Sequence, residues 1–113
     1  MTNEQIASHP PGPALDNLVH EIIYSGQGKR RAYSSTKASY ELLEVIPGLV
    51  VGRGKPTDPG HNPAKPYWAG IVEQIADEGG TRYTTTVRLF STSLSIALCK
   101  VALMAMNSRP TAK

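Results

Sequence analysis

Apolar residues recur at two periods along this chain, and the change of period lays out its architecture. Leu15, Leu18, Val19, Ile22 and Ile23 fall at helical spacing. They predict a first helix that Pro13 opens, that carries Asp16 in its first turn, and that ends near Gly26. Ala38, Leu42, Leu43 and Ile46 repeat the pattern, with Glu41 and Glu44 on the opposite side and Pro47-Gly48 as a stop. A short strand is expected from Gly48 to Gly52. The period then drops to two. Tyr67, Ala69, Ile71, Glu73 and Ile75 share one face of a strand, and Trp68, Gly70, Val72, Gln74 and Ala76 share the other. Asp77-Glu78-Gly79-Gly80 supplies a tight turn, and the β-branched run Thr81 to Ser91 returns as the partner strand. In that strand alternation groups Tyr83, Thr85, Val87 and Leu89 against Arg82, Thr84, Thr86, Arg88 and Phe90. Ser91-Thr92-Ser93 then opens a last helix, to about Met106, that is apolar around most of its circumference.

The pattern reads as an α+β domain: a three-stranded antiparallel sheet packed with three helices, in the order α-α-β-β-β-α. Residues 1–12, with His9, Pro10, Pro11 and Gly12, are expected to be a flexible lead-in. Residues 13–108 form the single domain that 113 residues allow, and 109–113 are a tail. A long loop is expected at 53–66, where four prolines lie between Pro56 and Pro66. A final helix that is apolar on most sides needs cover on more than one of them, so a homo-oligomer is expected.

Composition narrows the chemistry. Hydrophobic residues make up 40% and charged residues 19%, which is globular, and a net charge of +3 leans towards anionic partners without marking a dedicated nucleic-acid binder. The single cysteine, Cys99, excludes an internal disulfide and a multi-cysteine metal site and is expected to be a small core residue. His9, His20 and His61 are scattered; His20 is expected at the surface, and His61 with Asp58 is too few ligands for a metal. No signal peptide or membrane-spanning run is evident, so a cytoplasmic protein is expected. Paired carboxylates, a nucleophile–base pair and a phosphate-binding glycine loop are all missing. Neither an enzyme nor a cofactor is expected.

Binding has more support. Lys29, Arg30 and Arg31 precede Tyr33, Ser34, Ser35 and Thr36 at the start of the second predicted helix, where free N–H groups and cations suit an anion. The plainer reading is a helix cap beside a solvated basic loop. Arg82, Arg88 and Phe90 are expected on one strand face with Trp68 alongside, a combination that holds a phosphate and stacks a base. The plainer reading there is aromatics packed under helices with arginines at the edge. If the two groups converge, Arg30, Arg31, Tyr33, Ser34, Ser35, Trp68, Arg82 and Arg88 form one ligand site.

Three segments resemble the phage ABA sandwich domain, a family of small bacteriophage proteins. LDNLVHEIIYS (15–25) is similar to the family's opening helix. AYSSTKASYELLEVI (32–46) is similar to its Tyr-Ser-Thr-Asp motif, with Ser35 in place of Thr and Thr36 in place of Asp. STSLSIALCKVALMAM (91–106) is similar to its closing helix, with Lys100 in place of Arg, and Trp68 stands in the expected strand. The resemblance implies a counter-defence protein in the host cytoplasm. One expectation is a non-catalytic sponge for a nucleotide-type immune signal, another a protein–protein inhibitor of a host defence complex, as an anti-CRISPR protein is. A third is a weak nucleic-acid-binding accessory protein.

Overall fold

The computed structural model describes residues 2–55, 57 and 63–108. It is α+β, with one three-stranded antiparallel sheet in the order β1-β2-β3 and helices on it. β1 spans Leu49–Arg53, β2 Tyr67–Asp77 and β3 Gly80–Ser91. The helices are α1 (Asn3–Ser8), α2 (Pro13–Ile22), a 3-10 turn (Lys37–Glu41) running into α3 (Leu42–Val45), and α4 (Leu94–Ser108).

α1 lies where a flexible lead-in was expected. Its start is a reciprocal cap: Gln5 N–H donates to Thr2 Oγ1, and Thr2 N–H donates to Gln5 Oε1. Six residues with such a cap are marginal alone. Burial of Ile6 in the common core supplies the rest. α2 matches its pattern, with Pro13 in the first turn and Leu15 and Val19 fully buried. The expected second helix is broken in two. Thr36 caps Ala38 N–H while Ser39 Oγ bonds back to Thr36 O, and these side-chain bonds tighten the first turn to 3-10. Leu42 and Ile46 of the predicted stripe are buried, whereas Leu43 stays 38% exposed.

α4 is the central rod. It packs on all three strands and is flanked by α1, α2, the 3-10 turn and α3. Every residue from Ala97 to Met104 is buried. Much of the cover that its apolar circumference demands is thus supplied inside the chain. His20, expected at the surface, is also buried, because one turn beyond Asp16 it faces the incoming 31–34 segment.

Ala69, Ile71, Leu49 and Ser91 are buried, on the sheet side that meets the helices. Alternation turns Trp68, Gly52 and Phe90 to the other side, so the aromatics do not pack under helices. The register slips once. Ile71 pairs with Val87 but Val72 pairs with Thr85, leaving Thr86 as a bulge. Of the loop expected at 53–66, Gly54 N–H donates to Pro66 O at 2.7 Å and closes the base. Pro56 and 58–62, with the Asp58–His61 pair, lie outside the described residues, as does the tail at 109–113.

Candidate functional site

On the side of the sheet that the described helices leave uncovered, three strands place small and large residues in rows. One row is Gly52–Trp68–Phe90, the next Val50–Gly70–Arg88. The two glycines make room. A Cβ on Gly52 would stand 2.7 Å from the indole, so the ring lies directly on that backbone. With no side chain at Gly70, Arg88 reaches across its row, and its guanidinium carbon sits 4.4 Å from the Trp68 ring centroid and 5.1 Å from that of Phe90. The result is a cation held over two aromatic faces on an open sheet surface.

Arg82 does not join it. The bulge at Thr86 reverses the alternation, so Arg82, paired with Ile75, falls on the face opposite Arg88. Tyr83, 70% exposed, and Thr85 take the Trp68 side instead. The strand-face grouping expected from sequence holds for Trp68, Arg88 and Phe90 alone.

The basic turn is a separate assembly on the helix side. Ser34 N–H donates to Asp16 Oδ1 at 2.7 Å, and Gly12 N–H donates to Ser34 Oγ at 3.1 Å, which ties the turn to the start of α2. Ser34 is thus buried structural mortar, while Ser35 is exposed. Tyr33 is 2% exposed; its hydroxyl is 3.3 Å from His20 Nδ1, and its ring stacks on Tyr24 at 5.5 Å. Arg31 pairs with Glu41 and lies over the Tyr33 ring at 5.9 Å. Arg30 donates to Asn17 Oδ1 at 2.8 Å. These groups hold one another, and the sheet separates Tyr33, in the helix-side core, from Trp68. The eight expected residues do not converge.

Sequence reasoning assigns Asp16 no role beyond complementing the helix dipole and misses His20 as a buried partner. Their partners lie 13 to 18 residues away along the chain, a separation that carries no periodic signal. Gly52 and Gly70 are legible as strand glycines, which mark close backbone approach. Among the described residues there is no group of three or more His, Cys, Asp or Glu side chains placed to hold a metal, and no helix long and apolar enough to cross a membrane. Comparison with protein-family models, with curated proteins and with solved structures finds no match.

Proposed function

We propose that this chain is a non-catalytic binding protein that holds an anionic, nucleotide-type ligand on the face of its sheet that the described helices leave uncovered. The observation that carries the reading is the Arg88 guanidinium over Trp68 and Phe90. A guanidinium meets phosphate oxygens through paired N–H donors, and an adjacent aromatic plane stacks a base without regard to sequence. Resemblance to the phage ABA sandwich family extends the proposal to a sponge in the host cytoplasm, a homo-oligomer that sequesters a nucleotide-derived immune signal. Arg30, Arg31, Tyr33 and Ser34 are then structural, and Arg82 lies outside the contact surface.

Trp68 is the only tryptophan, so its fluorescence reports on the site directly. Titration with a panel of cyclic dinucleotides and ADP-ribose-type nucleotides is expected to quench it saturably, with the ligand recovered intact after denaturation. Arg88→Ala is expected to weaken binding about tenfold or more, and Arg31→Ala to leave it unchanged. A panel that produces neither quenching nor a thermal shift removes the proposal.

A second reading, a protein–protein inhibitor, is favoured by the outer edge of β3. Its residues from Gly80 to Thr86 are all exposed, and an edge strand pairs with an extended segment of a partner. A stoichiometric partner retained from host lysate by the wild type, and lost on Thr84→Pro, distinguishes this reading from the first.

A further inference from the structure

An open cleft of about 300 Å³ lies between α1, the end of β3 and the start of α4. Lys65 and Lys100 line it, with Ser91 and Thr92 beside them and Leu89 and Ile96 among its apolar walls. Lys100 is 9% exposed on a helix whose neighbouring Leu98, Cys99, Val101 and Ala102 are fully buried and apolar. An ammonium has three donors. One goes to Ala7 O at 2.8 Å, at the end of α1. Burial and then the nearby charge of Lys65 hold the Lys100 pKa below its ordinary value. No carboxylate is among the described residues lining the cleft.

Two lysines that line one cleft beside two hydroxyls, with no acid among its described lining residues, repel one another until an anion enters. The start of α4 at Leu94 adds its partial positive charge on the same side. Two positive charges match a dianion, and a phosphomonoester carries between about 1.5 and 2 negative charges near neutral pH. A carboxylate would leave one ammonium uncompensated. The apolar walls match a small organic group on the phosphate, and the volume is at the lower end for a small-molecule site.

We propose that this cleft binds an organic phosphomonoester, its head between Lys65 and Lys100 and its body against Leu89 and Ile96. The site is distinct from the sheet-face cluster: Phe90 is common to both, whereas Trp68 and Arg88 are not among the residues lining the cleft.

The test is calorimetric titration of the full chain, at low ionic strength, with phenyl phosphate, inorganic phosphate and benzoate. Phenyl phosphate is expected to bind more tightly than either of the others. Lys65→Gln removes an exposed charge without touching the core and is expected to weaken binding about tenfold. Lys100→Met, checked for folding by circular dichroism, is expected to do the same. Arg88→Ala is expected to retain wild-type affinity, which separates failure here from failure at the sheet face. No binding of phenyl phosphate, binding indifferent to Lys65→Gln, or benzoate bound equally well would each overturn the assignment.

Discussion

The indole of Trp68 rests on Gly52, whose missing side chain is the space that the ring fills: a Cβ there would meet indole atoms at 2.7 Å. The cation–aromatic cluster depends on that seat, because Arg88 is held by the ring that Gly52 admits.

Gly52→Ala is therefore expected to lift the indole off the sheet and separate it from Arg88. Overpacking of this kind costs about 1–3 kcal/mol. The lone tryptophan gives a direct readout in its emission maximum, expected to move to the red as the ring meets water, alongside a lower urea midpoint. An unaltered spectrum would mean that the ring does not need the glycine.

Asp16 and Ser34 join two segments 18 residues apart through one buried, charge-assisted bond. Asp16→Ala leaves Ser34 N–H without its acceptor and is expected to destabilise the fold by about 1.5–3 kcal/mol. Ser34→Ala removes only the weaker bond from Gly12 and is expected to cost about 1 kcal/mol. Denaturant unfolding of both variants tests the order, and equal losses would contradict it.

Tyr24 Oη is buried with no hydrogen-bond partner among the described residues. Its pKa is raised, first by burial and then by Tyr33. Tyr24→Phe removes a group that lost water and gained no bond, so it is expected to be neutral or stabilising by up to about 1 kcal/mol. Tyr33→Phe, which gives up the contact with His20 Nδ1, is expected to destabilise by about 1 kcal/mol. Thermal melts of the pair decide this, and a Tyr24→Phe loss larger than that of Tyr33→Phe would refute it.

Burial pushes the Cys99 thiol up to about 12 from an ordinary 9.0, with Asp16 adding to the shift. The folded chain keeps this proton at a pH where the unfolded chain has released it. Its contribution to stability is therefore complete below pH 9 and is lost as pH rises towards 12, at about 1.4 kcal/mol per pH unit. Wild-type stability is expected to fall more steeply over that window than that of Cys99→Ala, as measured by urea unfolding. The native thiol is also expected to resist alkylation at pH 8. Parallel pH profiles would show that the thiol is not the source.

Much of the fold is legible in the order of residues alone. The 67–77 and 81–91 strands, the Pro13 helix and the 94–108 helix follow from periodicity, since each apolar repeat points one face inward whatever it packs against. α1 is signalled only by the spacing of Thr2 and Gln5, and the prolines that follow mask it. The break between the 3-10 turn and α3 is not legible, since Ser39 bonding to Thr36 O competes with a helical pattern that Leu42 and Leu43 support equally well.

The candidate site divides the same way. Trp68, Arg88 and Phe90 share a face because they lie on the same side of the bulge, where strict alternation holds. Arg82 lies beyond it, and one extra residue in β3 sends it to the other face. By itself the sequence determined the helical and extended segments and the alternation within them, because local periodicity and backbone geometry suffice for that. Only the tertiary structure decided that the basic turn and the aromatic strand face stand on opposite sides of the sheet, that Arg82 leaves the face of Arg88, and that Lys65 and Lys100 line one cleft. The placement of Arg82 rests on one inserted residue and the others on contacts between segments far apart in the chain, for neither of which a linear pattern has a signal.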